Sequence, residues 1–407
     1  MSRARYGISP WIHAYPASRR PAFPRCTTDL TAPIVIVGAG STGCCTAYAL
    51  AAAGAAPVVL EADRIGLAGA GRATGLASPE PSVSFRELQA RHGRRAARAM
   101  FDASRRAVLD LGATVKRLGI RADFASVKAL RGDVPDSAAK TLLREALERR
   151  KAGLEASSVK GEALRKLSLM EAPSGTRLRE WARCDPYRLV LGFARAATAR
   201  GAKFFERSPV VRIKHGRTAI EIQVNGRTIA AQTVIVCTSE PTSLFRPLRR
   251  HFRFDEQYLV MTAPMPTALR QAVRATDLVV TDAHRPPHLI WQTSDHRLIV
   301  AGADQRRVAE RAREKVLVQR TGQLMYELSR LFPAISGLAP EFGWHVPTAP
   351  TTDGAMYVGP HRNYPNHLFA WGTGHDPARA FLASRMLLRH VQGAPDSDDA
   401  YFAFTRG

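Results

Sequence analysis

Apolar and polar positions along this chain follow two periods, and each predicts an element type. Ile34 to Val37 is an unbroken β-branched run, too apolar to alternate, which predicts a parallel strand buried on both faces. The small residues Cys44 to Ala53 predict a helix, with Gly54 placed as its C-terminal glycine. Pro57 to Leu60 predicts a second strand ending at Glu61. From about residue 85 to 182 the pattern predicts long helical segments with few strands. Asp185 and Pro186 read as N-cap and first residue of a helix that runs to Gly201. The stretch after it predicts several short strands. Asn225-Gly226 marks a type I′ hairpin between TAIEIQV and RTIAA, and Thr233 to Cys237 is a further buried strand. Strands follow at 257–263, 277–281, 288–292 and 297–301, then a long helix after Arg307. The C-terminal part returns with TTDGAMYVGP, a strand-like NHLFAWG and a final helix.

The first of these units carries chemistry. Gly38, Gly40 and Gly43 lie between a strand and a helix, with Ser41 and Thr42 opening the helix and Glu61 at the tip of the next strand. In a dinucleotide fold the first glycine allows the tight turn, the second lets a pyrophosphate approach the backbone, and the third lets helix and strand pack closely. The helix N-terminus offers N–H groups and a positive dipole end to the phosphates. Glu61 accepts from ribose hydroxyls and would repel a 2′-phosphate.

Composition changes the picture in one respect. At 407 residues and 45% hydrophobic, the chain has room for two domains and large cores. No apolar run approaches a membrane span. The five cysteines (Cys26, Cys44, Cys45, Cys184, Cys237) show no C-x-x-C spacing and predict neither a disulfide framework nor a metal site, but small buried residues of a reducing, cytoplasmic protein. The oddity is charge: 59 Lys and Arg against 35 Asp and Glu give a net +24. The arginines are spread at helical spacings that predict solvated faces, and no nucleic-acid-binding signature accompanies them. No specific nucleic-acid partner is expected. The basic N-terminus lacks the apolar region of a secretory signal, and Pro10, Pro16, Pro21 and Pro24 would break an amphipathic helix, so an irregular arm is expected.

Taken together, the arm SPWIHAYPASRRPAFPR, the block RIGLAGAGRATG, the segment DPYRLVLGFARAATARGAKFFERSPVVRI, LIVAGAD, REKVLVQRTGQLMYELSRLFP and DGAMYVGPHRNYPNHLFAWGTGH resemble the flavin-dependent amine oxidoreductases of the glycine oxidase, sarcosine oxidase and D-amino-acid oxidase family. The likeness is greatest to the gamma-glutamylputrescine oxidoreductase branch, and it spans nearly the whole chain. It implies an α/β (α+β overall) architecture: a Rossmann-like FAD-binding domain with a β-meander, and a mainly antiparallel substrate-binding domain. The implied boundaries are an arm at 1–29, a discontinuous FAD domain at 30–82, 183–246 and 341–407, and a substrate domain at 83–182 and 247–340.

By the same resemblance, Gly38, Gly40, Ser41, Thr42 and Gly43 hold the pyrophosphate, and Glu61 with Ala62 the ribose. Val210 or Val211 meets adenine through the backbone, and Thr238 lies beside the glycine turn. Gly66 to Gly75, with Gly69, Gly71 and Arg72, forms the loop under the isoalloxazine ring. Gly372, Gly374 and His375 form the loop at its edge. Asp376-Pro377 reads independently as a helix start whose positive end would face the flavin N1–C2=O edge, with His375 adding a hydrogen bond or charge. His375, Trp291, Tyr258 and Arg379 are the catalytic candidates, with His288 a further substrate contact. Tyr258 and His288 read equally as sheet residues, Trp291 as core, Arg379 as a solvated arginine and His375 as a turn cap. The chain departs from the family at Ala68, Ala70 and Ala73, where hydroxyl and amide side chains are usual. It departs again at Pro377, Ala378 and Arg379, where many relatives have glycines.

No cysteine precedes Asp353, so non-covalent FAD and no metal are expected. The implied reaction is hydride transfer from the C–N carbon of a small amine or amino acid to flavin, giving an imine that water hydrolyses. Oxygen, a quinone or a carrier protein would accept the electrons. Two alternatives stay open: a flavin-binding protein with an altered site acting as a binding or assembly factor, and a basic nucleic-acid-associated protein.

Overall fold

The computed structural model describes residues 4–134, 139–168, 170–215, 219–272 and 277–406. Two sheets organise the chain. The eight-stranded sheet contains β2 (Leu30–Val37), β3 (Val58–Leu60), β8 (Lys203–Phe205), β9 (Val210–His215), β10 (Ile220–Val224), β11 (Arg227–Val236), β17 (Tyr357–His361) and β18 (Tyr364–Trp371), in the order β17-β18-β11-β2-β3-β8. Its central pairs β18-β11-β2-β3-β8 are parallel. The β-branched run in β2 is explained by burial on both faces. Ile34 and Ile36 pack with helices α2 (Ser41–Ala52), α6 (Pro186–Thr198) and α9 (Pro377–Val391), while Val35 and Val37 pack with Phe245, Phe369 and Trp371.

The expected hairpin is present. Val224 pairs with Arg227 across Asn225 and Gly226, whose φ values of 50° and 74° are those of a type I′ turn. Thr218, where the sequence pattern begins that strand, lies outside the described residues. The strand expected at 233–237 is not separate from the meander: β11 runs unbroken from Arg227, pairing β10 antiparallel and β2 parallel.

The ten-stranded sheet contains β1 (Arg5–Tyr6), β4 (Leu76–Ala77), β5 (Ala125–Gly132), β6 (Ser157–Lys160), β7 (Ser174–Arg183), β12 (Asp255–Thr262), β13 (Leu278–Thr281), β14 (Leu289–Gln292), β15 (Leu298–Arg306) and β16 (Pro340–Thr348). It is antiparallel except where β1 joins β16 and β13 joins β5. One helix-rich expectation is corrected here. Segment 85–182 does contain α3 (Phe85–Arg117), α4 (Ala139–Lys151) and α5 (Gly161–Ser168), but also β5, β6 and β7. In β5 the residues Ala, Leu, Lys and Arg are better helix formers than strand formers. Pairing with β7 and β13 overrides that propensity. The arm is also less irregular than its prolines suggest, because β1 pairs with β16 and α1 (Pro10–Ala14) is capped by Ser9. Short α7 (Thr267–Ala272) follows β12, and α8 (Arg313–Leu331) covers one face of the ten-stranded sheet.

Alternation along the strands divides that sheet's faces. Leu259, Trp291, Ile299 and Trp344 lie on one face; Tyr258, Val260, Ile290 and Val300 lie on the other, under α8. β16 belongs to this sheet, so the segment up to Thr348 packs with it and not beyond a boundary at 341. Among the described residues no helix is long and apolar enough to cross a membrane.

Candidate active site

The glycine turn sits where β2 delivers the chain to α2. Gly38 has φ +99°, and a Cβ there would lie 2.9 Å from the Cys237 carbonyl oxygen, so only glycine fits. A Cβ on Gly43 would lie 1.9 Å from the Gly38 carbonyl oxygen, which is the close strand–helix contact. Gly40 is different: nothing lies within 4 Å of its added Cβ. It is also the N-cap of α2 and supplies no side-chain cap, so the first-turn amides are left without a side-chain acceptor.

Around this turn, Glu61 Oε2 accepts from the Ala39 amide at 2.8 Å and Oε1 from the Asp63 amide at 3.0 Å. Burial raises the Glu61 pKa, against those amide bonds. Ala62 beside it is exposed. The Ser208 amide donates to the Glu61 carbonyl oxygen, which ties the approach to β9 to this strand tip. Val210 pairs with Val224, and the Val211 side chain is exposed. Thr238 accepts from the Trp371 indole at 3.0 Å and donates to the Glu240 carbonyl at 2.8 Å behind Gly38. Glu61 and Thr238 thus flank the glycine turn directly. Open space before uncapped amides, with a carboxylate at the neighbouring strand tip, fits the pyrophosphate and ribose of a dinucleotide.

The second cluster surrounds the loop Gly66–Gly75. Four consecutive carbonyls of this loop are each held by a different side chain. Ser9 Oγ donates to Gly71 O (2.5 Å), Trp344 Nε1 to Arg72 O (2.8 Å), Trp11 Nε1 to Ala73 O (3.0 Å) and Trp291 Nε1 to Thr74 O (3.1 Å). Trp11 and Trp291 also stack, with ring centroids 5.9 Å apart and planes 7° apart. Ser9, Trp11 and Trp344 were not among the residues singled out from sequence. The arm motif SPWIHAYP carried the signal, as an unexplained serine and tryptophan in an otherwise basic segment.

His375 closes the loop from the other side. A Cβ on Gly69 would lie 1.9 Å from His375 Cε1, so the imidazole lies directly on that glycine. Its Nε2 lies 2.7 Å from the Pro347 carbonyl oxygen, an acceptor, so Nε2 carries the proton. Burial lowers the His375 pKa and keeps the ring neutral. Burial thus disfavours the positive charge considered for it from sequence. The residue itself is left-handed at φ 59°, directly after Gly374 (φ 61°) and three residues after Gly372 (φ 83°); such backbone persists only where its surroundings hold it. Gly71 packs its backbone on Gly66, and the buried Nε of Arg72 has no partner.

Asp376 behaves as its sequence context predicts. It is buried, caps α9 through the Ala378 (2.8 Å) and Arg379 (3.3 Å) amides, and also accepts from the Ser78 amide at 3.0 Å. Burial raises its pKa.

The catalytic candidate Tyr258 and the further substrate contact His288 lie away from this cluster, and the candidate Arg379 meets it only at Gly374. Tyr258 lies on the α8 face, donating to Glu256 at 2.9 Å and accepting from Gln305 at 3.0 Å. Burial, aided by Glu256, pushes its pKa up to about 12. His288 lies on the same face, between Asp282 and Glu327. Strand alternation is the reason: neighbours in β12 and β14 point to opposite faces, and Trp291 took the loop side. Arg379 turns toward its own helix cap, 3.6 Å from Asp376 Oδ2, and its Nη1 would lie 3.1 Å from a Cβ on Gly374, beside a small cavity lined by Ser82, Met100, Ser104, Gly372 and Phe402.

Comparison with known proteins agrees with this geometry. The family model described as "DAO: FAD dependent oxidoreductase" matches residues 33–385. A probable oxidoreductase, OrdL, of Haemophilus influenzae is 23% identical over 392 residues, covering 91% of this chain and 85% of that protein. Gamma-glutamylputrescine oxidoreductase of Escherichia coli is 23% identical over 394 residues, covering 96% and 90%. Glycine oxidase from Geobacillus kaustophilus shares the fold with a TM-score of 0.77 at 17% identity, over 93% of this chain and 99% of that one. With most of its length matched and its glycine cradle intact, the chain belongs to the DAO family of FAD-dependent oxidoreductases.

Proposed function

We propose that this enzyme oxidises the C–N bond of a small amine or amino acid, with FAD held non-covalently between the two sheets. The observation that carries the reading is the open, uncapped cradle at Gly40 with Glu61 beside it. In this reading Gly38, Gly40, Ser41, Thr42 and Gly43 hold the pyrophosphate, and Glu61 and Ala62 the ribose. The β9 backbone at Val210 and Val211 meets adenine, and Thr238 backs the turn. Gly69, Gly71, Arg72, Gly372, Gly374 and His375 surround the ring. Bound FAD would accept the hydride leaving the amine-bearing carbon. The protein's part is to orient the substrate and exclude water. Trp291 and Trp344 supply a dry wall there, and the positive end of α9 supplies favourable potential at the ring edge.

The domain division follows: strands of the eight-stranded sheet with α2, α6 and α9 form the FAD domain, and the ten-stranded sheet through Thr348 forms the substrate domain. The five free, buried cysteines suit a reducing cytoplasm.

A second reading has its own observation. The loop carbonyls are tied directly to three indoles on the sheet face where an amine would sit, which suits a flavin-binding protein that no longer oxidises amines. One experiment separates them. Purified protein is expected to be yellow, to release its flavin on heating, and to bleach anaerobically with at least one member of an amine and amino-acid panel. Bleaching by dithionite but by no amine supports the second reading. A colourless protein that cannot be reconstituted with FAD overturns both.

A further inference from the structure

On the α8 face, remote from the glycine cradle, the loop joining β13 to β14 gathers three metal-ligating side chains. Asp282 follows β13 directly, and His288 immediately precedes β14. Asp282 Oδ2 lies 2.8 Å from His284 Nδ1 and 2.5 Å from His288 Nδ1. One ligand atom from each of the three residues lies within 4.8 Å of the others. The second carboxylate oxygen is already engaged: Asp282 Oδ1 accepts the backbone amides of His284 at 3.2 Å and His288 at 2.9 Å. Asp282 therefore has one oxygen to offer, at a point toward which two imidazole nitrogens converge.

We propose that Asp282, His284 and His288 bind a divalent transition-metal ion of the zinc class, which pins this loop to α8. Two imidazoles and one carboxylate are a donor set suited to zinc, with a fourth position left for water. Solvent reaches the site from one side. Asp282 is wholly enclosed and the His288 side chain only 6% exposed, whereas the His284 side chain is 39% exposed. Tetrahedral bonds of about 2.0 Å separate neighbouring ligand atoms by about 3.3 Å. The present N–O distances need to open by roughly 0.5–0.8 Å to reach that, which small rotations of the two rings supply.

The surroundings add an independent argument. A metal-binding histidine almost always donates its other ring N–H to a carboxylate or carbonyl, which fixes its orientation. His288 Nε2 lies 2.8 Å from Glu327 Oε2 on α8, and Glu327 Oε1 accepts in turn from Gln323 Nε2 at 2.9 Å. With both nitrogens of His288 facing carboxylate oxygens, the ring now carries a proton on each. Metal binding replaces the Nδ1 proton, which leaves to solvent, and keeps the Nε2–H bond to Glu327. His284 ligates through Nδ1 in the same way.

The test uses the full-length protein as purified, with or without flavin, so it stands apart from the amine-oxidation reading. Zinc content after exhaustive dialysis and a cobalt(II) titration followed by visible d–d absorption are expected to give one ion per chain. His284→Ala changes a half-exposed side chain and should fold normally by circular dichroism; it is expected to abolish stoichiometric uptake, as is Asp282→Asn. Glu327→Gln is expected to keep one site with affinity lowered 10- to 100-fold. Zinc should raise the melting temperature of the wild type but not of His284→Ala. Absence of saturable zinc or cobalt uptake by the wild type overturns the proposal, as does uptake unchanged in folded His284→Ala.

Discussion

The two ends of the proposed cofactor site are built in opposite ways. The glycine cradle comes from one continuous stretch, Ile34 to Glu61, plus the backbone of Cys237 and Thr238 behind it. The loop end is assembled from five distant parts of the chain: Ser9 and Trp11 in the arm, the loop itself, Trp291 in β14, Trp344 in β16 and His375 before α9. A local unit needs only its own backbone conformation, so its residue types are constrained by turn geometry. A composite unit is specified by packing between elements, and its residues are free to differ as long as the contacts survive. That accounts for a chain with every glycine of the cradle in place whose loop carries Ala68, Ala70 and Ala73, where the family resemblance leads one to expect polar side chains. The loop is held by its carbonyls.

The sharpest way to break this comparison is at the cradle. Gly40→Asp places a carboxylate where a pyrophosphate would lie, while its Cβ meets nothing. It is expected to weaken flavin binding by at least about 100-fold, roughly 3 kcal/mol, with flavin-free stability within about 0.5 kcal/mol of wild type. Gly43→Ala, by contrast, should damage both, since its Cβ would lie 1.9 Å from a carbonyl oxygen. Equal flavin retention in both variants would show that the cradle is misassigned.

At the composite end the effect should be smaller and shared. Trp291→Phe keeps a buried ring and Trp11→Phe a partly buried one, but each strands a loop carbonyl, at a cost of about 1–3 kcal/mol in thermal unfolding. Both should also shift the bound flavin's absorbance, since the loop they hold lies against the ring in the proposed site. A stability loss with an unchanged spectrum would detach the loop from the flavin. Glu61→Ala should weaken FAD retention by roughly 1.5–3 kcal/mol, the worth of charge-assisted hydrogen bonds; dilution and filtration of the holoprotein measure it. Asp376→Ala should lower stability by about 0.5–2 kcal/mol as a lost N-cap, toward the upper end because the Ser78 amide also loses its acceptor.

The smallest expected effect is a pH dependence at His375. Burial lowers its folded pKa below the ordinary 6.5, so its contribution to stability is present above 6.5. It is lost as pH falls through the lowered folded value, because unfolding then takes up a proton. Melting curves from neutral to acid should show this limb reduced in His375→Gln. The same ring is neutral above that range, so His375→Ala should leave the flavin midpoint potential's pH slope unchanged between neutrality and alkaline pH. A changed slope would restore a charged role for it.

How legible each part was follows from the same division. The cradle, the Asn225-Gly226 hairpin and the Asp185 and Asp376 caps were all readable, because each depends on residues within a few positions of one another. Strands β5, β6 and β7 were not, because their residues favour helix locally and become strands only by pairing with partners up to about 150 residues away. Tyr258 and His288 were reasonable contacts on a sheet known only as a sheet. Which face they occupy was fixed when Trp291 and Trp344 turned toward the loop and α8 covered the reverse side.

From its sequence alone this chain declares a dinucleotide turn and its acidic strand tip, since those signals are written in backbone-conformation residues and their short spacings, and its motifs in order resemble the flavin-dependent amine oxidoreductases. Only the tertiary structure brought three indole N–H groups and a serine to four successive carbonyls, laid His375 on Gly69, and gathered Asp282, His284 and His288 with Glu327. A hydrogen bond between distant segments costs nothing in local propensity and leaves no period in the sequence. It exists only once hydrophobic burial has placed the two segments side by side.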